Sequence, residues 1–272
     1  MLRAIAPLPL LAVSGCGDDT GNGAANAAQP RSSLSPSSAS SSAAPSPAVS
    51  ATARAAAQPE VSNAPAVTDA VALTFHGDGS PALANALLGE AEKSGARLTV
   101  LAVGQWLANY PQMAERVLNG GHELGNHTEH HLNIDSMSVD QAYTEIELCA
   151  QRLEHLTGSR GRWFRQSQGQ HASAPVRAAA TRAGYQTLLS YDLDPVDYRN
   201  PGSSTIVRNV LGSVRGGDVV SMHLGHPQTV TALPQILNGL RQRGLRAVTA
   251  SELFPTVAAG STPAPGSTSQ PS

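Results

Sequence analysis

The stretch Ala70-Val71-Ala72-Leu73-Thr74-Phe75-His76-Gly77-Asp78-Gly79-Ser80-Pro81 contains the first predicted strand of the domain and the start of the helix that follows it. Its first six residues are nearly all apolar and end in turn residues, which predicts a buried strand. Ser80 can cap a helix and Pro81 suits the first helical turn, so a helix is expected from there to about Lys93. A strand followed directly by a helix is the building block of parallel α/β folds.

The same alternation continues towards the C-terminus. The clearest helix begins after Ser138, which can form a capping box with Gln141, and stops at Gly158. Further strands are predicted at 97–103, 163–164, 187–191, 218–222 and 246–248, and further helices near 174–183, 204–214 and 231–243. This pattern predicts a parallel sheet with helices outside, either a barrel or an open sheet. In such folds, active sites gather at the carboxyl ends of the strands.

Composition separates both ends of the chain from this domain. Residues 1–16 resemble a bacterial lipoprotein signal in which Cys16 is lipidated, the alternative being an ordinary cleaved signal. Residues 17–69 are rich in Ala, Ser and Pro, which predicts a disordered tether, and 258–272 have the same character. The remaining part, 70–257, has the size of one domain. A lipid on Cys16 would hold it outside the cytoplasm, on a bacterial membrane facing the cell envelope.

Charge and cysteine content exclude several classes of protein. The chain has 18 Lys and Arg against 20 Asp and Glu, without a basic stripe, so nucleic acid is not an expected partner. Of the two cysteines, Cys16 would carry lipid and Cys149 lies on the apolar face of a predicted helix, so no intrachain disulfide is expected. No feature indicates an oligomeric state.

The segment 121–131, Gly-His-Glu-Leu-Gly-Asn-His-Thr-Glu-His-His, carries two histidines with metal-ligand spacing. His127 and His131 are four residues apart, so on a helical turn both imidazoles would lie on one face. Neutral imidazole is the commonest protein metal ligand. Two imidazoles and one carboxylate would hold a divalent ion and leave a position open for water.

Polar residues that follow the predicted strands are candidates for the same site. Since the carboxyl ends of parallel strands share one edge of the sheet, these polar residues are expected to converge on one pocket. They are Asp78, Arg165, Asp192, Asp194, Asp197 and His223.

Five short motifs occur in a fixed order along this domain. Thr-Phe-His-Gly-Asp-Gly at 74–79 is similar to Thr-Phe-Asp-Asp-Gly, and 127–131 match His-Ser/Thr-x-x-His. Residues 165–169 correspond to Arg-Pro-Pro-Tyr-Gly, residues 192–198 to Asp-x-Asp-x-x-Asp-Trp, and His223 follows an apolar strand. Together they resemble the polysaccharide deacetylases, the NodB homology domain of carbohydrate esterase family 4. The resemblance covers nearly all of 70–256.

The resemblance implies a distorted (β/α) barrel, in one domain, that removes acetyl groups from N-acetylated sugars with a divalent metal. It implies zinc as the metal, with cobalt or nickel as alternatives, and the ligands Asp78, His127 and His131. It also implies His223 as the general acid, Asp197 and Asp194 as the carboxylates that orient it, and Arg165 as a contact of the base.

The first motif departs from the family pattern where the base normally lies. Gly77 precedes Asp78, and His76 occupies an additional position. Because glycine cannot accept a proton, either His76 serves as the base, or another carboxylate does, or turnover is weak or absent. The third motif also departs, with Gln166, Ser167 and Gln168 in place of the prolines and tyrosine.

The sequence therefore predicts a lipid-anchored, metal-dependent N-deacetylase of a cell-envelope polysaccharide containing N-acetylhexosamine. Peptidoglycan is the nearest substrate and an exported glycan the next. One alternative is an inactive relative that binds glycan. Another is an esterase that acts on acetylated xylan or similar esters.

Overall fold

The computed structural model describes residues 59–65 and 68–255. The strands are β1 (Glu60–Val61), β2 (Ala70–Gly77), β3 (Thr99–Ala102), β4 (Glu123–Asn126), β5 (Leu188–Leu189), β6 (Val219–His223) and β7 (Arg246–Val248). The helices are α1 (Pro81–Lys93), α2 (Gly104–Asn109), α3 (Gln112–Asn119), α4 (Val139–Thr157), α5 (Ala174–Arg182), α6 (Ser203–Ser213), α7 (Pro227–Gln242) and α8 (Ala250–Leu253). Short 3-10 turns lie at Ile134–Ser136 and Asp197–Arg199.

β2 is the centre of a parallel sheet with the order β4-β3-β2-β6, and β7 pairs with the start of β2. On the far side, single bridges replace continuous pairing. Phe164 bridges Asn126 to Leu188, and Leu193 bridges to Val220. The predicted parallel α/β fold is confirmed, but the described strands do not form a closed barrel, because single bridges hold that side together.

Burial on both faces explains the composition of β2. Seven of its eight residues are buried, and only His76 is partly exposed. Leu73 and Phe75 pack with α1 and α7, while Ala72 packs with Leu101 on the other face. Parallel strands covered on both sides become almost continuously apolar. Full burial of a side chain the size of Phe75 contributes about 1.5–3 kcal/mol.

Local signals predicted the long helices well. Helix α1 begins after the Ser80 cap, and α4 has the Ser138 capping box and ends at Gly158 with φ of 74°. Helix α7 begins at Pro227, earlier than expected. The short elements α2, α3 and β4 were not predicted.

The histidine motif does not form a helical turn, so that interpretation was wrong. β4 ends at Asn126, and the chain continues as a loop in which Thr128 and His131 have φ of 69° and 55°. The spacing of four residues is satisfied by a tight loop instead, which the left-handed conformation of these two residues makes possible.

The predicted start of the domain at residue 70 is too late. β1 pairs in parallel with β5, and Glu60 forms an ion pair with Arg177 and accepts a hydrogen bond from the Ala172 N–H. Backbone pairing and one ion pair hold this segment, which has few apolar residues to indicate it. The predicted signal at 1–16, most of the predicted tether and the predicted tail at 258–272 lie outside the described residues. Among the helices of 59–65 and 68–255, none has the length and apolar character to cross a membrane.

Candidate metal centre and active site

Three imidazoles meet at the carboxyl ends of β2 and β4. His76 lies near the end of β2, and His127 and His131 lie in the loop after β4. One ring nitrogen from each lies within 4.8 Å of the others. The ring centroids of His76 and His127 are 4.1 Å apart, and those of His127 and His131 are 4.9 Å apart.

Two buried nitrogens of this histidine cluster have no hydrogen-bond partner among the described residues. His127 Nδ1 lies 3.0 Å from the Arg165 carbonyl oxygen and donates to it, which leaves Nε2 unprotonated, buried and unpaired. His76 Nε2 lies 3.2 Å from Ser221 Oγ, and its Nδ1 is buried and unpaired. Buried polar atoms are normally paired, and metal-binding imidazoles typically donate their other nitrogen to a carbonyl or a similar acceptor. The donor set therefore fits a divalent metal ion.

The electrostatic environment keeps these imidazoles neutral. Burial lowers the pKa of His76 and His127 well below the usual value, and neighbouring positive charge lowers it further. Burial also lowers the pKa of His131, while the nearby Asp78 carboxylate raises it in part. Unprotonated imidazole is the form that binds a metal.

Asp78 does not join the histidine cluster. It is exposed, and its Oδ1 accepts a hydrogen bond of 2.6 Å from the Gly79 N–H. The predicted ligand set of Asp78, His127 and His131 is therefore not the one that the structure brings together, since His76 takes the third place. The physical reason is that β2 continues through Gly77, so His76 lies on the same face as Thr74 and Asp78 falls beyond the paired strand.

Gly77 has no room for a side chain. A Cβ at this position would lie 2.8 Å from Val100 Cγ1 and 2.9 Å from Ala102 Cα. The usual family motif has two aspartates in a row, but an aspartate in place of Gly77 does not fit this backbone. The first motif of this chain thus supplies one imidazole, His76, to the site and one carboxylate, Asp78, at its rim, where the usual motif has two adjacent carboxylates.

The structure brings His223 and Asp197 together, as the sequence predicted. Asp197 is fully buried and lies 2.7 Å from His223 Nδ1 through its Oδ1. Its Oδ2 accepts hydrogen bonds from the His223 backbone N–H and from the Thr229 hydroxyl. The His223 ring centroid lies 4.4 Å from that of His76, so this dyad borders the histidine cluster.

Asp194 does not contact His223. Its Oδ1 accepts a hydrogen bond of 2.7 Å from the Val196 N–H, two residues along the chain. Such a bond is typical of an aspartate that stabilises a turn. The predicted role of Asp194 in orienting the histidine is not supported by its position.

Arg165 is fully buried beneath the site and binds neutral groups. Its Nε donates to the Leu189 carbonyl, Nη2 to the Ser190 carbonyl and Nη1 to the Thr74 and Ser221 hydroxyls. Burial lowers the pKa of the guanidinium to about 9. Among the described residues it forms no ion pair with a carboxylate, so its predicted contact with a carboxylate base is absent. It reaches His76 only through Ser221.

Sequence reasoning missed the residues that hold the ligands in place. Ser221 could have been found, since it lies two residues before His223 in a strand and therefore on the same face. Ser167 Oγ donates to the Leu132 carbonyl at 2.5 Å, and Gln168 Nε2 donates to the His131 carbonyl at 2.8 Å. These two contacts join the altered third motif to the loop that carries His131.

One ion pair and two hydrogen bonds also fix the loop that carries His127 and His131, called the ligand loop below. The buried Glu129 pairs with Arg152, and Glu145 accepts hydrogen bonds from both the backbone N–H and Nδ1 of His130. Glu145 and Arg152 both belong to helix α4, so contacts from that helix hold the loop and its left-handed residues. The sequence contains no periodic signal for these contacts, because they depend on the loop conformation.

Comparison with known proteins agrees with this geometry. The family model described as polysaccharide deacetylase matches residues 63–188. A peptidoglycan-N-acetylglucosamine deacetylase of Bacillus cereus is 34% identical over 188 residues, which cover 68% of this chain and 87% of that protein.

Solved structures show the same fold. The crystal structure of a peptidoglycan N-acetylglucosamine deacetylase superposes with a TM-score of 0.67 at 25% identity, covering 72% of this chain and 92% of that one. A pseudoenzyme of carbohydrate esterase family 4 from Bacillus anthracis gives a TM-score of 0.68 at 20% identity, covering 74% and 70%, a likeness of fold alone. With the five motifs, the parallel α/β fold and this sequence relationship in agreement, the chain belongs to the polysaccharide deacetylase family, whose members depend on a divalent metal.

Proposed function

We propose that this protein is a metal-dependent hydrolase that removes N-acetyl groups from an N-acetylhexosamine polymer of the cell envelope, with peptidoglycan as the nearest substrate. The observation that carries the proposal is the histidine cluster, with two buried, unpaired nitrogens, beside a histidine held by a buried aspartate. The names of several relatives as peptidoglycan deacetylases support the choice of substrate.

His76, His127 and His131 would hold the metal in their neutral forms. Three imidazoles suit zinc in a catalytic site that keeps one position open, and cobalt or nickel would also suit them. A zinc ion bound there would lower the pKa of a coordinated water and polarise the carbonyl of the acetamide. The carbonyl of Arg165 and the hydroxyl of Ser221 orient two of the three rings.

Asp78 is the group that takes a proton from the attacking water. A histidine that binds a metal has no free lone pair for a proton, so His76 would not serve as the base. Asp78 is an exposed carboxylate close enough to His131 to raise the pKa of that imidazole. Asp78 thus takes the role of the aspartate that acts as the base in the usual family motif and that this chain lacks.

His223 supplies the proton to the departing amine. As water adds to the carbonyl carbon and the C–N bond breaks, the sugar nitrogen must gain a proton before it leaves as an amine. Asp197 holds the His223 ring by Nδ1, which leaves Nε2 to face the substrate, and its negative charge stabilises the imidazolium.

The test is acetate release from N-acetylglucosamine oligomers by protein loaded with zinc, compared with protein treated with a chelator. We expect release with zinc that is lost after chelation. Release of acetate from acetylated xylan but not from the oligomers would indicate an ester hydrolase. Binding of oligomers without acetate release under zinc, cobalt or nickel would indicate a glycan-binding relative.

Within the same proposal, the protein acts outside the cytoplasm and is anchored by a lipid on Cys16, with the following segment as a tether to the domain. The apolar run that ends at Cys16 supports this. Metabolic labelling with a fatty-acid probe should mark the wild type but not Cys16→Ser. Equal labelling of both proteins would contradict the anchor.

A further inference from the structure

A cavity of about 400 Å³ opens directly beside the histidine cluster. It lies at the carboxyl ends of β2 and β3, where the segments that follow these strands face the ligand loop. Its lining includes Asp78 and His131, which also belong to the active site, and four residues of 104–110 that the mechanism does not use. Those four are Gln105, Trp106, Asn109 and Tyr110.

The lining of the cavity offers unused hydrogen-bonding groups. Gln105 and Asn109 are exposed and lie four residues apart on α2, hence on one face of that helix. Neither carboxamide forms a hydrogen bond with another described residue, so each keeps two donors and one acceptor free. Tyr110, at the end of the helix, is half-buried and adds an aromatic ring to the wall.

The floor of the cavity is held in place by its own contacts. Trp106 is buried, and its indole Nε1 donates a hydrogen bond of 2.9 Å to the Gly79 carbonyl. This bond joins α2 to the turn that carries Asp78. The free amides on α2 are therefore held at a fixed position relative to the histidine cluster, which preorganises the cavity for a ligand.

The chemistry of the lining favours a neutral, hydroxyl-rich ligand. Among the residues that the structure describes, no lysine or arginine lines the cavity, so this lining lacks the groups that bind a phosphate or a carboxylate. Amide groups together with an aromatic ring match the hydroxyl, acetamide and apolar faces of a sugar. We propose that this cavity binds the N-acetylhexosamine residue next to the one whose acetamide reaches the histidine cluster. The assignment rests on the proposed deacetylase function.

The kinetic test compares substrate lengths. The zinc-loaded double variant Gln105→Ala/Asn109→Ala should lose about tenfold in kcat/KM on the N-acetylglucosamine tetramer, mainly through KM, since lost neutral hydrogen bonds act on binding. Activity on the monomer, which does not reach the α2 side of the cavity, should stay within about twofold, and zinc content should not change. Gln112→Ala, an exposed amide on α3 outside the cavity, is the matched control and should behave as the wild type.

A binding measurement separates failure of the cavity assignment from failure of the deacetylase assignment. Calorimetric titration of the tetramer into metal-free protein should show weaker binding for the double variant than for the wild type and Gln112→Ala. That result without acetate release from any substrate would sustain the sugar-binding cavity and remove the deacetylase function. Equal tetramer binding and equal kcat/KM for all three proteins would overturn the sugar-binding cavity.

Discussion

Asp197 holds His223 at two atoms, with Oδ1 2.7 Å from Nδ1 and Oδ2 2.9 Å from the backbone nitrogen. This double contact fixes both the ring and the end of β6 on which it lies. It also determines which ring nitrogen carries the proton in the neutral imidazole, because Nδ1–H must donate to the carboxylate. In the proposed reaction, Nε2 would be the nitrogen that exchanges a proton with the substrate.

Asp197→Asn should lower kcat by about 100-fold or more, because the amide can donate to Nδ1 and favour the wrong tautomer. Zinc content should stay unchanged, since Asp197 does not join the histidine cluster. Acetate-release kinetics and metal analysis check both points. The matched control is Asp194→Asn, which changes a carboxylate that contacts only a turn and should leave kcat unchanged. Equal losses in both variants would contradict the orienting role of Asp197.

His76→Ala should weaken metal binding, whereas Asp78→Asn should leave it intact. Loss of a residue that only supports a metal ligand weakens metal affinity by about 10–100-fold. Removing His76, a ligand itself, should weaken zinc affinity by more than that. Asp78→Asn should retain zinc yet lose most of its activity, because the proton acceptor is gone. Competition with a zinc-binding dye gives both affinities. If Asp78→Asn loses zinc while His76→Ala keeps it, the ligand set predicted from the sequence is the correct one.

Gln168→Ala should reduce zinc affinity about tenfold by releasing the His131 carbonyl, an effect in the range of supporting contacts around metal ligands. The visible spectrum of the cobalt-substituted protein should shift, since that spectrum reports ligand geometry. Gln170→Ala removes a similar bond to the Tyr191 carbonyl, away from His131, and serves as the control. An unchanged cobalt spectrum and zinc affinity in Gln168→Ala would show that this bond does not position the ligand.

His122 should make the metal-free protein less stable as the pH falls. Its buried ring accepts a hydrogen bond from the Leu98 N–H, and burial lowers its pKa, partly offset by Glu92. Because the unfolded chain then binds more protons than the folded one, the free energy of unfolding decreases as the pH drops below the unfolded value of about 6.5. Above that value the contribution is fully present.

The variant His122→Asn keeps an acceptor for Leu98 without a titratable group. Urea unfolding between pH 8 and pH 5 should therefore show a shallower loss of stability for His122→Asn than for the wild type. Identical slopes would mean that His122 does not contribute to the acid sensitivity.

The sequence predicted elements whose signals are local. The Ser138 capping box and the apolar spacing of α4 specify that helix, and β2 follows from one continuous apolar run. β4 has four residues and depends on pairing with β3, so it carries no such signal. The histidine motif at 127–131 lies between β4 and α4. The sequence predicted that it belongs to the active site, but it did not predict the conformation of the loop.

The ligand set was beyond sequence reasoning for a similar cause. Whether His76 or Asp78 faces His127 depends on the residue at which β2 stops pairing with β3, and that residue is Gly77. Side-chain alternation alone would place His76 and Asp78 on the same face, because they are two residues apart, so only the end of the paired strand separates them. The pairing of His223 with Asp197 was predictable because the family's fourth motif contains the aspartate and its fifth motif contains the histidine.

Gly77 also limits how this protein could be converted to the commoner form of its family. One of the two atoms closest to the position of a Cβ there is the backbone Cα of Ala102, so trimming Val100 alone would not make room. Point substitutions towards paired aspartates would therefore pass through poorly folded variants. Directed evolution of such a pair would have to begin with an insertion or deletion that remodels the turn after β2.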